Sequence, residues 1–303
     1  MADERGSTVV VIVNYRTEEL TLEAVRTVRD GAPEGTRVVV VDVASTPGTT
    51  AFLEEGLGNS ATLVPVPENC GYGAAINRGA REGAGAAHLV AMASDCLLPG
   101  QVLRRLVSVL EEDPELGVVA PGVQRSAAGQ RAKVAHEFRS VRREWDLLMS
   151  GPRVHDENGN DGRTPRWLVG ACLVFRGPAF EDIGGFAEDY FMYAEDIDVC
   201  WRLQRRGWRV DTDPREEIVH LAGVSTGRTW NAAEVRRRKM RSEARFYARY
   251  LGAAEFLLLT LLRTVRVLAG RSTGSVHRRD ALRLPADAVV SLVSERSRAA
   301  VAR

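Results

Sequence analysis

Residues 8–14 read TVVVIVN and residues 37–42 read RVVVVD, two β-branched runs that each end on a polar residue. Because each apolar run is short, continuous and bounded by turn residues, each predicts a buried strand. Apolar residues at helical spacing follow both runs, within residues 20–28 and within residues 50–57. Two strand–loop–helix units in succession predict a parallel sheet with right-handed crossovers.

The pattern repeats twice more, with strands predicted at residues 61–66 and 88–92 and helices at 74–79 and at about 99–112. A polar residue stands at or just beyond the end of each of the four predicted strands: Asn14, Asp42, Asn69 and Asp95. In open α/β sheets, ligands bind beyond the carboxyl ends of the strands. We therefore expect these four side chains to converge on one crevice.

The second half of the chain has a less regular pattern. Residues 124–166 lose periodicity and gather Gly, Asp, Asn and Arg, which indicates a functional loop. The segments with regular patterning are a strand at 118–123, one strand over Trp167–Phe175, a helix at 194–207, a strand at 208–210 and helices from about residue 231. This pattern predicts a catalytic domain over residues 1–230 and a helical C-terminal extension over residues 231–303.

The composition is that of a soluble globular protein: 303 residues, 45% hydrophobic, with 41 Lys+Arg against 40 Asp+Glu. The charge is distributed unevenly, because residues 230–303 carry 16 basic and 6 acidic residues and the rest of the chain is net acidic. A basic segment suggests contact with an anionic surface, for which phospholipid and nucleic acid both qualify. A solvated helical face is the simpler alternative.

One predicted helix in the basic segment is amphipathic. Its apolar residues share one face: Leu257, Leu258, Leu261, Leu262, Val265 and Leu268. Arg263 and Arg266 lie off that face, so the helix is not a membrane span. Two interpretations remain open. In one, the leucine face docks on an anionic membrane, and in the other it packs on the catalytic domain or on a second subunit. Packing on a second subunit would make a homodimer.

The cysteines and the N-terminus indicate a cytoplasmic protein. Cys70, Cys96, Cys172 and Cys200 are widely spaced and form no CxxC pair, so they predict buried thiols in a reducing compartment and imply no zinc site. The first residues lack a signal-peptide pattern, and no segment has about 18 uninterrupted apolar residues.

Acidic residues are concentrated at the start of the helix predicted over residues 194–207. Glu195, Asp196 and Asp198 crowd its first turn between aromatic residues. The helix dipole alone could explain them, since it favours carboxylates by about 0.3–1 kcal/mol each. Crowded carboxylates also repel one another, which raises pKa values as a general base requires. A glycosidase is disfavoured, because neighbouring residues on a helix diverge rather than face each other across a bond.

A dinucleotide-binding dehydrogenase is also disfavoured. Gly71 and Gly73 match the first two glycines of the dinucleotide loop, but Ile76 stands where the third is expected. The loop also follows the third predicted strand, and the first turn, at residues 14–17, contains no glycine.

Three segments, residues 39–46, 69–79 and 167–202, resemble successive motifs of bacterial family 2 glycosyltransferases, and most closely those of the rhamnosyltransferase-like branch. The resemblance extends over roughly residues 8–230. It implies an α/β GT-A fold with a mainly parallel central sheet, a nucleotide-diphosphate sugar donor, a divalent cation (Mg²⁺ or Mn²⁺) and inversion at the anomeric carbon.

The resemblance also assigns roles to individual residues. Asp196 would be the catalytic base with Glu195 beside it, and Asp95 and His220 would bind the metal. The residues expected at the nucleotide-sugar are Asn14, Tyr15, Asp42, Asn69, Gly71, Asn77 and Ser94. The residues expected on the acceptor or sugar side are Trp167, Gly170 and Asp198.

The same resemblance implies a partner set and a cellular role. The acceptor would be a hydroxyl group, and a lipid-linked glycan is the candidate that carries it. The reaction would belong to cell-wall or polysaccharide synthesis on the inner face of the membrane. Nucleic acid would not be a partner. The branch favours deoxythymidine-diphosphate rhamnose as donor, with a uridine-diphosphate hexose second. Val43 and Ala93 depart from the family pattern near the base and the metal. They motivate the alternative of a catalytically degenerate sugar-nucleotide-binding or scaffold protein.

Overall fold

The computed structural model describes residues 7–150, 166–221, 229–271 and 278–301. The chain forms two compact units. The first contains residues 1–136, 165–191 and 195–229, and the second contains residues 137–164, 192–194 and 230–303. The second unit therefore begins next to the boundary expected from the sequence, but it also takes in two segments from the expected catalytic domain. The functional division into two domains stays a prediction.

The first unit is built on a mixed, mostly parallel sheet, which confirms the predicted α/β class. The strands are β1 Thr8–Asn14, β2 Arg37–Val43, β3 Thr62–Val66, β4 His88–Ala93, β5 Cys96–Leu97, β6 Leu116–Arg125, β7 Arg131–Lys133, β8 Ala135–Glu137, β9 Arg166–Leu168, β10 Cys172–Arg176 and β11 Arg209–His220. The main sheet has the order β3-β2-β1-β4-β10-β6-β11-β5, with β7 beside β6, while β8 and β9 form a separate pair. Strand β10 is antiparallel to both of its neighbours, and β5 is antiparallel to β11.

Helices of the first unit cover both faces of this sheet, and the second unit has helices of its own. Those of the first unit are α1 Glu18–Arg29, α2 Pro47–Leu57, α3 Tyr72–Arg81, α4 Gly100–Glu112, α6 Gly177–Asp182 and α7 Glu195–Arg205. Those of the second unit are α5 Val141–Ser150, α8 Ala232–Tyr250, α9 Ala253–Leu268, α10 Arg278–Ala281 and α11 Leu284–Val301.

The core explains why the β-branched runs become central strands. Every residue of β1 is buried, because β2 and β4 pair with its edges and helices lie over both of its faces. On one face, Val10 and Ile12 belong to a single apolar cluster with α1 and α4. On the other face α3 lies so close that a side chain at Gly79 would collide with Val11 and Val41. Each buried Val or Ile contributes about 1.5–3 kcal/mol, so the strand ends are held firmly.

The prediction of a loop over residues 124–166 was wrong for those of its residues that the structure describes. It contains α5 as well as β7 and β8. The buried position of α5 is Glu144, which is fully buried because Arg139 and Arg266 pair with it. A buried carboxylate breaks the apolar periodicity on which the sequence interpretation depended.

Two strand predictions also needed correction. The single strand expected over residues 167–175 is two strands, β9 and β10, separated by a turn at residues 169–171. The strand expected at residues 208–210 is the much longer β11, which has a register shift between Asp213 and Glu217. Its acidic positions are satisfied by arginines, as in the pair between Asp213 and Arg105, so no apolar alternation marks it in the sequence.

Helices predominate in the described part of the second unit, as expected from residue 231 onward. Asn231 caps α8 by accepting hydrogen bonds from the backbone N–H groups of Ala233 and Glu234, and the Glu234 carboxylate accepts one from Asn231 N–H in return. This reciprocal capping satisfies N–H groups that a helix start leaves without partners. No helix in the described ranges is both long enough and apolar enough to cross a membrane.

An ion-pair network of alternating charge ties three helices of the second unit together. In order, its members are Arg263, Glu243, Arg139, Glu144 and Arg266. Arg139 is the central cation: its guanidinium lies 2.6 Å from Glu243 and 2.8 Å from Glu144. The network connects α5, α8 and α9, so much of the interior contact in this unit is ionic.

Candidate functional site

Asn14 and Asp42 lie side by side at the carboxyl edge of the sheet. They are register partners on β1 and β2, and Asn14 Nδ2 donates a 2.7 Å hydrogen bond to Asp42 Oδ1. Asn14 Oδ1 accepts from Thr17 N, Thr17 Oγ1 and Thr21 Oγ1. The Asn14 side chain is fully buried and engaged at both ends, so it positions Asp42 and the loop into α1.

Asp42 is held from the other side by α2. Its Oδ2 accepts a 3.2 Å hydrogen bond from Thr49 Oγ1. Burial raises the pKa of Asp42, and the hydrogen bonds from Asn14 and Thr49 counteract part of that effect. Thr49 also lines an open pocket of about 400 Å³ formed by the start of α1 and by α2, whose lining residues are Thr17, Glu18, Glu19, Leu20, Gly48, Thr49 and Phe52. The Thr49 hydroxyl is thus shared by Asp42 and this pocket.

Asp95, Cys96 and His220 form a compact cluster whose ligand atoms all lie within 4.8 Å of one another. Sheet pairing brings them together, because His220 on β11 is the register partner of Cys96 on β5. Leu221 N also donates to the Asp95 backbone oxygen at 2.9 Å. His220 Nε2 lies 3.5 Å from Asp95 Oδ1, and His220 Nδ1 lies 2.9 Å from Gln124 Oε1.

The donor set in this cluster suits an oxygen- and nitrogen-bound divalent cation. Burial, followed by the neighbouring Cys172 and Asp95, raises the pKa of the Cys96 thiol well above its usual value. A thiol that keeps its proton is a poor metal ligand. The carboxylate of Asp95 and the imidazole of His220 are the remaining candidate ligands, and this pair suits the Mg²⁺ or Mn²⁺ expected from the sequence better than a thiolate-bound metal.

Asp196 is oriented by two main-chain N–H groups. It lies half-buried in the first turn of α7, where its Oδ2 accepts from Gly170 N at 3.0 Å and its Oδ1 from Ile197 N at 2.9 Å. The Gly170 carbonyl accepts a 2.9 Å hydrogen bond from the Tyr72 hydroxyl. A Cβ at Gly170 would approach Asp196 Cβ to 2.9 Å, so this contact requires glycine.

Glu195 differs from its neighbour, since its side chain is buried. Among the described residues no hydrogen-bond donor reaches its Oε2 atom. Burial first, and then the negative charge of Asp196, raise the pKa of Glu195 well above its usual range. Glu195 therefore keeps its proton under conditions that ionise an ordinary carboxyl group.

The pKa of the Tyr72 hydroxyl is affected by two groups of residues. Burial raises the pKa of this hydroxyl, and so do the nearby thiols of Cys96 and Cys172 and the carboxyl groups of Glu195 and Asp196. Gly170 connects Tyr72 to Asp196, because its carbonyl accepts from the Tyr72 hydroxyl and its N–H donates to the Asp196 carboxylate.

Ser94 and Asn69 also lie in this part of the first unit. Ser94 Oγ lies 2.7 Å from Thr17 Oγ1, so the ends of β4 and β1 are linked next to Asp95. Asn69 Oδ1 accepts from Gly71 N, and this bond shapes the turn into α3. The Tyr15 ring is covered by the Arg16 guanidinium, 5.2 Å from its centroid.

Three of the residues expected at the ligand have structural partners instead. The Asn77 side chain bonds the backbone N–H and carbonyl of Phe186 and thereby ties α3 to the loop before α7. Asp198 is fully buried and pairs with Arg202 at 2.6 Å. The Trp167 ring contacts the His136 ring in a tilted arrangement, with a centroid separation of 4.9 Å. The roles expected of these three stay predictions that these contacts do not favour.

Sequence reasoning missed five residues that shape the site: Thr17, Thr49, Tyr72, Cys96 and Gln124. Cys96 follows Asp95 directly and Thr17 is one helical turn beyond Asn14, so both had a local signal. Gln124 had none, because it lies on β6 and reaches His220 only through the pairing of β6 with β11.

Comparisons with known proteins show the family and the fold of the chain. Residues 5–242 match the family described as Glycosyltransferase like family 2. An N-acetylglucosaminyl-diphospho-decaprenol L-rhamnosyltransferase of Mycobacterium tuberculosis is 32% identical over 212 residues, covering 63% of this chain and 68% of the relative. Rhamnosyltransferase WbbL of Escherichia coli is 39% identical over 56 residues, which cover 18% of this chain and 21% of that relative.

Solved structures share the fold at low sequence identity. The mannosyltransferase PcManGT from Pyrobaculum calidifontis, solved in complex with GDP-Man and Mn²⁺, has a TM-score of 0.60 and 20% identity, over 96% of this chain and 87% of that one. S. aureus TarS 1-349 in complex with UDP-GlcNAc has a TM-score of 0.56 and 16% identity, over 95% and 80% of the two chains. The sheet, the order of the motifs and the family match agree, and the chain belongs to glycosyltransferase family 2.

Proposed function

We propose that this glycosyltransferase inverts the anomeric carbon of a nucleotide-diphosphate sugar by single displacement, with Asp196 as the base. The observation that carries the proposal is the geometry of Asp196, half-buried and oriented by the N–H groups of Gly170 and Ile197. The acceptor hydroxyl oxygen forms a bond to the anomeric carbon as the bond to the diphosphate breaks. The electron pair leaves with the diphosphate, and the hydroxyl proton goes to the Asp196 carboxylate.

Asp196 accepts hydrogen bonds from two main-chain N–H groups. Hydrogen bonds from N–H groups stabilise a carboxylate, and the protonated neighbour Glu195 adds no second negative charge. One anionic carboxylate beside one neutral carboxyl group is what a single proton transfer requires. No protein nucleophile is needed, because the acceptor itself attacks.

The donor would lie along the carboxyl edge of the sheet. Thr49, which donates a hydrogen bond to Asp42, lines the open pocket, and the pocket has the polar groups and the exposed Phe52 ring that a nucleobase and ribose would use. Asp95 and His220 would hold a divalent cation at the diphosphate. Such a cation, when bound, supplies positive charge that stabilises the departing diphosphate.

The choice of substrates is inferred from the relative that is named an L-rhamnosyltransferase. That protein is named for a lipid-diphosphate-linked N-acetylglucosamine acceptor. We therefore place deoxythymidine-diphosphate rhamnose first among donors, a uridine-diphosphate hexose second, and a hydroxyl of a lipid-linked glycan as the acceptor.

The test is transfer of labelled sugar by the purified full-length chain, comparing wild type with Asp196→Asn. The amide preserves shape but cannot take the proton, so turnover should fall about 10²–10⁴-fold while the donor still raises the melting temperature. Asp30→Asn, at the exposed end of α1, is the matched control and should retain full turnover.

Two results would contradict the proposal. Turnover of Asp196→Asn within about tenfold of wild type would remove Asp196 from the role of base. Donor binding by the wild type without turnover, over the panel of donors and acceptors, would favour the alternative of a sugar-nucleotide-binding or scaffold protein, as the departures at Val43 and Ala93 suggest.

A further inference from the structure

Helix α9 turns its most apolar face outward. Five of its large apolar side chains are 41–56% exposed: Leu257, Leu258, Leu261, Val265 and Leu268. Their spacing places them on one side of the helix. Arg263 and Arg266 lie on the other side and are only 8% and 7% exposed. This is the reverse of the usual orientation of an amphipathic helix in a soluble protein.

The buried arginines prevent α9 from rolling its leucines inward. Arg263 Nη1 lies 2.9 Å from Glu243, and Arg266 Nε lies 2.8 Å from Glu144. Rotation of the helix would break both pairs and leave Arg139 as the only partner that the network gives to each carboxylate, and breaking a buried ion pair is strongly destabilising. The outward leucine face is therefore built into the packing of the second unit.

The helices that pack against α9 add to the same kind of surface. On α5, Trp145 and Met149 are 53% and 60% exposed and lie one turn apart. On α11 and just before it, four residues are more than half exposed: Leu282, Val289, Val290 and Val293. Together with the five residues of α9 these form what we call the apolar surface. It holds eleven of the thirteen exposed large hydrophobic residues in the described ranges. Such a concentration is typical of an interaction site.

Charge indicates what covers the apolar surface. Residues 230–303 carry 16 basic and 6 acidic residues. Exposed arginines adjoin the apolar side chains: Arg283 follows Leu282, Arg271 donates to the carbonyl of Met149, and Arg142, which also pairs with Asp146 at 4.0 Å, is one turn before Trp145. A second copy that packed face to face would bring an equal excess of positive charge, whereas an anionic bilayer would neutralise it.

We propose that the apolar surface docks on an anionic phospholipid bilayer, with its leucine, valine and tryptophan side chains in the acyl boundary and its bordering arginines on lipid phosphates. The helices would lie in the plane of the interface. The inference rests on the second unit alone. If the proposed lipid-linked acceptor is correct, docking would also bring the enzyme to its substrate.

The test is co-sedimentation of the full-length chain with vesicles, which needs neither donor nor turnover and so can fail independently of the proposed reaction. Wild type should bind vesicles of equal parts phosphatidylglycerol and phosphatidylcholine, and bind pure phosphatidylcholine at least about tenfold more weakly. The doubly substituted Leu257→Gln/Leu261→Gln should bind anionic vesicles about tenfold or more weakly, because two exposed apolar side chains lose their burial. Leu257→Met/Leu261→Met is the matched control and should bind as wild type does.

A spectroscopic readout complements sedimentation. Trp145 should shift its fluorescence to shorter wavelength on adding anionic vesicles, and Trp145→Phe should remove that shift. Equal recovery of wild type in the supernatant with both vesicle types would overturn the proposal. So would equal binding of the glutamine and methionine variants, or a dimer in solution that dissociates only in the glutamine variant, since a second copy would then cover the face.

Discussion

Replacement of Glu243 by Gln should show how much the ion-pair network stabilises the second unit. Burial raises the pKa of Glu243, but the positive charges of Arg139 and Arg263 and their hydrogen bonds outweigh burial and lower it to about 2. The ordinary value is 4.5. Because one pKa unit corresponds to about 1.4 kcal/mol, this difference makes the ionised form worth about 3 kcal/mol of folding stability.

The sign of the pH dependence follows from the direction of the shift. A carboxyl group whose pKa is lower in the folded state adds stability at pH values above its unfolded pKa. That stability is lost as the pH falls from about 4.5 towards about 2. Glu243→Gln removes the charge and leaves Arg139 and Arg263 to repel each other, so the variant should lose about 3 kcal/mol near neutral pH.

The assay is urea denaturation followed by far-ultraviolet circular dichroism, for wild type and variant, at several pH values from neutral down to about 4 and below. The difference in unfolding free energy should be largest near neutrality and should shrink as the pH falls below about 4.5. Glu255→Gln, at an exposed position of α9, is the matched control and should cost less than about 1 kcal/mol. A loss below about 1 kcal/mol for Glu243→Gln, or a difference that does not vary with pH, would refute the reasoning.

Three further predictions concern the first unit. Asp95→Ala should remove the dependence of donor binding on Mn²⁺, measured as the donor-induced rise in melting temperature with and without EDTA; a donor shift in wild type that persists unchanged in EDTA would argue against a metal. Gly71→Ala should cost about 2–5 kcal/mol in unfolding free energy, because Gly71 has φ 85° and ψ 167° and a Cβ would collide with the Phe191 carbonyl. Gly58 also has a positive φ, but a Cβ there would enter open space, so Gly58→Ala should cost about 1–2 kcal/mol in unfolding free energy. Equal losses for Gly71→Ala and Gly58→Ala would exclude a contribution from the collision at Gly71. The raised pKa of Glu195 makes wild type lose stability as the pH rises above 4.5. Glu195→Gln should therefore flatten the pH dependence of the melting temperature. Parallel curves of melting temperature against pH for wild type and variant would contradict a protonated Glu195.

The amino-acid sequence alone determined which segments become the central strands and where polar groups stand at their ends. The runs at residues 8–14 and 37–42 are continuous β-branched segments, and such segments are stable only between two covering layers. This local rule placed Asp42 and Asp95 at the carboxyl edge of the sheet, and the helical pattern from about residue 231 marked the start of α8.

The pairing of strands that are far apart in the sequence could not be predicted from local patterns. His220 reaches Asp95 because β11 pairs with β5, and Asp196 is oriented by Gly170, on a turn that the sequence had presented as the middle of one strand. Nothing in the local pattern of either segment specifies its partner, because hydrogen-bonded pairing between distant strands depends on the whole sheet.

Only the tertiary structure decided which faces are buried. Glu144 is fully buried and Leu261 is 56% exposed, the opposite of what their side chains suggest one residue at a time. Hydrophobic periodicity finds the side of a helix that is apolar, and it assumes that this side faces inward. In the second unit that assumption fails, because the carboxylates of Glu144 and Glu243 supply partners for buried arginines and the leucine face is directed outward as a result.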